Sequence, residues 1–190
     1  AGQLDSGNYA GAVDIANGAT LQYASSAEQT LSGVISGLGS LVKDSETSAL
    51  TLTAVNTHTG DINLDSGSIV IANDGQLQSG NYAGAMDIAN GATLQYSSSA
   101  NQILSGVVSG DGTLVKDTAD SSTLTLTAVN TYSGDIDLDA GSVVIGSAGQ
   151  LESGNYSGAL DIATGTTFEY ASSEDQTFAG VISGAGDLIK

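Results

Sequence analysis

Three aspartates stand at alternate positions in "GDIDLDAG": Asp135, Asp137 and Asp139, with Ile136 and Leu138 between them. An earlier stretch, "GDINLDSG", carries Asp61 and Asp65 around Ile62, Asn63 and Leu64. Carboxylates are the hard oxygen ligands that Ca²⁺ prefers. Alternation puts such a row on one side of a strand, but residues two apart are separated by ~6.8 Å along it. One ion, with a ligand distance of ~2.4 Å, does not bridge that gap comfortably. A calcium site on Asp61, Asp65, Asp135, Asp137 or Asp139 therefore needs a second carboxylate from a neighbouring strand. The Ca²⁺-binding nonapeptide G-G-x-G-x-D-x-U-x is absent. A solvated acidic face is the simpler reading, with calcium the one cofactor left open.

Paired carboxylates also serve glycosidases and lyases. Acid–base work needs two such groups pushed apart in pKa by a pocket, and lyases usually add a basic residue, whereas this chain has no arginine. His58 is the sole histidine, and its counterpart in a second, near-identical stretch is Tyr132; a catalytic base does not alternate with tyrosine. No catalytic or cofactor-binding residue is assigned. Lys43, Lys116 and Lys190 are all the cations; with Asp44 and Asp117 beside the first two, they read as corner residues offsetting carboxylates, and an isopeptide cross-link is a remote second reading. Asn56 and Asn130 fall at one shared corner, where an asparagine satisfies turn backbone. The threonines of "TLTLT" suggest an ice-binding face only if the pair recurs on every coil, and it does not. Tyr9, Tyr82 and Tyr156 recur, as do Tyr23, Tyr96 and Tyr170; they read as ladders at the core edge.

The elements that position these residues follow from composition and repetition. The chain has 190 residues, 21 acidic and three basic, for a formal net charge of −18. Nucleic acid and anionic membranes are repelled. With 40% hydrophobic residues the chain still builds a core. There is no cysteine, hence no disulfide or thiolate site, and no apolar run long enough to span a bilayer. The chain begins without methionine or signal peptide and stops partway through a repeat, which reads as a segment of something longer.

"GQLDSGNYAGAVDIANGATLQY" begins at Gly2 and returns in variant form at Gly75 and Gly149, spacings of 73 and 74 residues. Residues 1–190 are thus one segment with internal repeats 2–74, 75–148 and a partial 149–190. The one-residue slip lies within "KDTADSSTLTLT", opposite "KDSETSALTLT", and an insertion of this kind marks a surface turn. Within a repeat, short runs such as "ALTLTAV", "DINLD", "SIVIAN" and "TLQYA" alternate apolar with polar and are bounded by Gly, Asn, Asp and Ser. That is a strand signature, not a helical one. Leu50, Leu52, Ile62, Leu64, Ile69 and Ile71 are predicted inside, with Val55 on the same side after a local break. Leu124, Leu126, Ile136, Leu138, Val143 and Ile145 match them. Each repeat divides into three segments of strand, turn and strand, one per coil of a three-sided solenoid. Copying then follows from stacking, because each coil sits on a near-identical neighbour. About eight coils at ~4.8 Å each make a rod of roughly 38 Å.

Two stretches carry a family resemblance: "GVISGLGSLVKDSETSALTLTAVNTHTGDINLDSGSIVI" (Gly33–Ile71) and "GVVSGDGTLVKDTADSSTLTLTAVNTYSGDIDLDAGSVVI" (Gly106–Ile145). A third, "GVISGAGDLIK", is cut off. They resemble the passenger-associated strand repeat of bacterial autotransporters and large surface adhesins. Two departures stand out. "DSETSA" and "DTADSS" replace the usual glycine turn after lysine, and Ala54 and Ala128 stand where glycine is common. The resemblance implies an all-β, right-handed, single-stranded parallel β-helix that is secreted or displayed on the bacterial surface, and no single activity. The expected function is that of a non-enzymatic stalk, spacer or fibre body. The alternative is an adhesin module that recognises glycan or cation on one face. The expected partners are further copies of the repeat and, end to end, the chain itself; nucleic acid and membrane insertion are not expected.

Overall fold

The computed structural model describes residues 2–118 and 122–190. Among them the chain winds into about eight stacked coils in which every paired strand is parallel. The longest sheet runs Asn8–Tyr9, Gln29–Leu31, Ser40–Leu52, Ile62–Asn73, Thr93–Ser98, Thr113–Lys116, Ile136–Leu138, Leu160–Ile162, Ile182–Gly184. Its strands follow chain order, each one coil beyond the last. A second sheet joins Asn81–Tyr82, Gln102–Leu104, Thr123–Leu126, Ser142–Ile145, Thr167–Tyr170 and Asp187–Ile189 in the same way. Among the described residues helix is confined to three short 3₁₀ turns, Asp5–Gly7, Gln78–Gly80 and Glu152–Gly154. No helix among the described residues is long and apolar enough to cross a membrane.

The register explains the copied sequence. Leu50 pairs with Ile69, Ile69 with Leu94, Leu94 with Leu114, Leu114 with Ile136 and Ile136 with Leu160. All six are buried. Side chains alternate across a strand, so an apolar residue at every second position lands on its equivalent in the next coil, and each buried aliphatic side chain contributes ~1.5–3 kcal/mol. All twelve predicted inward residues other than Val55 are no more than 1% exposed. The coils also approach closely: a Cβ built on Gly106 meets the Gly84 carbonyl oxygen at 2.0 Å.

Two expectations fail. Val55 is 45% exposed, as is Val129 at 47%. The chain leaves the ladder after Leu52, its alternation slips by one, and Asn56 takes the inward position at 1% exposure. The segment "DSETSA" is not a free turn either. It lies inside the continuous strand Ser40–Leu52, which pairs with Ile62–Asn73 across register shifts at Lys43/Asp44 and Asp44/Ala49. The shifts release the extra residues as a bulge without ending the strand. In the second copy the strand is divided into Thr113–Lys116 and Thr123–Leu126; part of the predicted insertion, 119–121, lies outside the described residues. Ala54 and Ala128 keep negative φ, so alanine meets no steric penalty there.

Candidate functional site

The acidic row lies on the outer side of Ile136–Leu138, whose own Ile136 and Leu138 face inward. Register adds a residue that the spacing within one strand does not show: Asp137 pairs with Asp161 of the next coil. Burial pushes the Asp137 carboxyl above its ordinary value, and the charges of Asp139, Asp135 and Asp161 push the same way. Asp161 has equivalents at Asp14 and Asp87, and each of the three accepts a hydrogen bond from a serine 22 residues later. Ser36 donates at 3.0 Å, Ser109 at 2.6 Å and Ser183 at 2.9 Å. The sequence signal was present, as "DI" followed at fixed distance by "ISG" or "VSG".

The remaining candidates are held separately. Asp135 Oδ1 accepts the backbone N–H of Ala159 at 2.8 Å, and Asp61 Oδ1 that of Ala85 at 2.9 Å. The Asp139 N–H donates to the Lys116 carbonyl at 2.9 Å, and Asp65 is exposed. In the first copy Asn63 stands where Asp137 stands in the second, so Asp61 and Asp65 have no carboxylate between them. Among the described residues no three His, Cys, Asp or Glu side chains form a group that could hold a metal ion.

His58 and Tyr132 occupy equivalent inner positions and do equivalent work. His58 Nε2 lies 2.6 Å from the Gly39 carbonyl oxygen, and the Tyr132 hydroxyl donates to that of Gly112 at 2.9 Å. Each ring stacks on a tyrosine one coil on: His58 on Tyr82 and Tyr132 on Tyr156. Burial lowers the His58 pKa against the opposing pull of the Gly39 bond and the Asp61 charge. Asn56 and Asn130 act as sequence reasoning expected. Asn130 Oδ1 accepts from Val108 N at 2.8 Å, while Nδ2 donates to the carbonyls of Ala128 and Gln150 at 2.9 and 3.1 Å. One side chain thus links three coils.

The lysines do more than offset carboxylates at a corner, although the charges of Asp44 and Asp117 still act on Lys43 and Lys116. Lys43 and Lys116 are 0% exposed. Their ammonium groups lie 5.9 and 5.8 Å from the ring centres of Tyr23 and Tyr96, and Lys190 lies 4.7 Å from that of Tyr170, within cation–π range. Lys43 donates to the carbonyls of Ser45 and Ser66, Lys116 to that of Ala140 and Lys190 to that of Ser172. Burial pulls the Lys116 pKa down to about 8, with Asp117 opposing; Lys43 is lowered for the same reason.

The hollows in the surface are lined by end-coil residues such as Tyr170 and Leu188, or Leu21 and Tyr23, and by Glu28, Glu46 and Ser68 around the bulge. None of these hollows includes His58 or the acidic row. All seven tyrosines are buried or half-buried.

Residues 45–71 and 119–145 each match the family described as passenger-associated-transport-repeat. Together the two matches cover less than a third of the chain. Each match runs from the segment after the buried lysine to an inward isoleucine, Ile71 within the strand Ile62–Asn73 or Ile145 at the end of Ser142–Ile145. No curated protein and no solved structure gives a match.

Proposed function

We propose that this chain is a non-enzymatic, length-setting segment of an exported bacterial passenger, a stalk or spacer displayed on the cell surface or secreted. The passenger repeats support export, and one structural observation supports the stalk: the distinctive polar side chains are used in joining coils. Asn56, Asn130, His58, Tyr132 and the lysines all bond to backbone. Such a design repeats without limit along one axis. The strand Asp187–Ile189 leaves Leu188 and Ile189 about half-exposed, at 50% and 45%, a surface that a further coil or a second copy of the chain fits.

Solution scattering on chains of two, three and four repeats tests the proposal, with the monomeric state checked in parallel. Each added repeat of three coils should lengthen the particle by ~14 Å at constant cross-section. A cross-section that grows with repeat number rules the stalk out.

A further inference from the structure

Four places in the chain set an asparagine or aspartate before glycine: Asn17–Gly18, Asp74–Gly75, Asn90–Gly91 and Asp111–Gly112. Such a pair is chemically exposed, because glycine has no side chain to shield its backbone nitrogen from the Cγ of the residue before it. The fold separates the four into two kinds.

The aspartate pairs are held. Gly75 N donates to the Ala72 carbonyl and Gly112 N to that of Ile88, both at 2.9 Å. A Cβ on Gly75 would lie 2.7 Å from the Leu52 carbonyl oxygen, and one on Gly112 would lie 2.4 Å from that of Ala89. Both nitrogens are engaged, and their peptide planes have no room to turn.

The asparagine pairs are free. Each sits at the tip of a tight turn closed by the residue after glycine, Ala19 N to Ala16 O and Ala92 N to Ala89 O, both at 2.9 Å. Gly18 and Gly91 have φ of 76° and 80°, while Asn17 and Asn90 keep negative φ, which is the type II arrangement. Neither glycine nitrogen makes a backbone hydrogen bond outside the strands among the described residues. Nothing lies within 4 Å of a Cβ built on either glycine. A type II turn points the central N–H away from the Asn side chain, so the peptide must flip before reaction, and the empty space around it permits that.

We propose that Asn17 and Asn90 are sites of self-modification, at which the turn glycine converts the side-chain amide to a carboxylate through a cyclic imide. The glycine nitrogen gives up its proton to solvent base and bonds to the Asn Cγ. The Cγ–Nδ2 bond breaks, and ammonia leaves. Water then opens the imide at either carbonyl, giving aspartate, or isoaspartate with the backbone rerouted through Cβ and Cγ. One water enters, one ammonia departs and no electrons are exchanged.

Each event adds one negative charge to a rod that already carries −18. The isoaspartate product also lengthens the link between Val13–Ile15 and Thr20–Tyr23, or between Met86–Ile88 and Thr93–Ser98. The next coil reads those links directly, through Ser40 N to Ala19 O and Thr113 N to Ala92 O. In the third copy Thr164 precedes Gly165 in the equivalent turn, and threonine has no amide to lose. Both asparagines are exposed, but the Asn90 amide donates to the Asp111 carboxylate at 3.4 Å, and the Asn17 amide has no such partner among the described residues. Asn17 therefore reacts first.

The test is to hold the whole folded protein in mildly alkaline buffer and follow every asparagine by peptide mapping in the mass spectrometer. Isoaspartate is labelled in parallel by an isoaspartyl methyltransferase. Asn17 should lose its amide fastest and Asn90 next, with the other asparagines and both Asp–Gly pairs intact. N17T and N90T, which copy the third turn, should each abolish the signal at their own site alone. The proposal fails if Asn17 and Asn90 react no faster than Asn56 and Asn130, whose following nitrogens are bonded to Ile35 and Val108. Equal isoaspartate formation at Asp74 or Asp111 overturns it as well.

Discussion

The ring of His58 lies nearly parallel to that of Tyr82, 6.4 Å away and 20° inclined, as Tyr132 lies to Tyr156 one repeat on. The two stacks are interchangeable in shape but not in charge. Burial holds the folded pKa of His58 below its ordinary 6.5, so the unfolded chain takes up the proton first. The stability that neutral His58 provides is complete above pH 6.5 and is lost as pH falls toward the folded pKa. H58Y copies the second repeat and removes this loss. Thermal melts of both proteins from neutral to mildly acidic pH should show a gap that widens in favour of H58Y as pH falls.

Lys116 gives the opposite end of the pH scale. Its folded pKa of about 8 lies below the ordinary 10.5, so the unfolded state binds the proton more tightly. Stability from this group therefore rises as pH climbs from 8 toward 10.5, by on the order of 2 kcal/mol after allowance for solvent screening. Above pH 10 the buried Tyr82, Tyr132 and Tyr156, whose pKa values burial raises, reverse the trend, because only the unfolded chain ionises there. Urea titrations at steps between pH 7 and 10 should show a rise that K116M removes. An equal rise in K116M would assign it to another group.

The contrast between Lys116 and Leu126 shows what the sequence could reveal. Leu126 was legible because its own strand alternates, and alternation is a local signal. The inward path of Lys116 was not, since a lysine reads as surface. What makes its position tolerable is the Tyr96 ring paired with it one coil earlier and the Ala140 carbonyl one coil later. The Asp137–Asp161 pair was hidden for the same reason, as its partner is supplied by register between coils. The parity slip at Val55 was hidden because it arises where the chain leaves the ladder and no periodicity remains to be read.

Alternation sets the next expectation. Leu126 is 0% exposed and Thr125, beside it, faces outward. Leu126→Ala should cost about 2–5 kcal/mol, while Thr125→Ala should cost under ~1 kcal/mol. Denaturant unfolding of the two variants measures the difference directly, and equal losses would refute the inward–outward assignment.

Asn130 should be as sensitive as the core itself. It is 0% exposed and bonds backbone groups of Val108, Ala128 and Gln150. Asn130→Ala leaves Val108 N without its partner, at roughly 1–3 kcal/mol for an unsatisfied buried group, while the Ala128 and Gln150 carbonyls keep the backbone donors Gln150 N and Asn130 N. Asn130→Asp keeps the acceptor for Val108 N but sets a charge beside two carbonyls, so it should be no better than alanine. Unfolding free energies of the two variants check the ranking.

Charge is the last determinant, and it separates screening from binding. A net charge of −18 opposes compaction through self-repulsion, and Asp135, Asp139 and Asp161 act on Asp137 in that sense. Added salt shortens the Debye length to about 8 Å near physiological ionic strength, so the melting temperature should rise with sodium chloride. Ca²⁺ can do more than screen only if carboxylates converge on it. Asp135 is already turned to the Ala159 N–H and Asp161 to the Ser183 hydroxyl, which leaves Asp137 and Asp139, two carboxylates where Ca²⁺ takes about six to eight oxygens. At matched ionic strength Ca²⁺ and Mg²⁺ should therefore shift the melting temperature equally, in the parent protein and in D137N alike. A calcium-specific increment in the parent that D137N abolishes would show that the acidic row is a metal site after all.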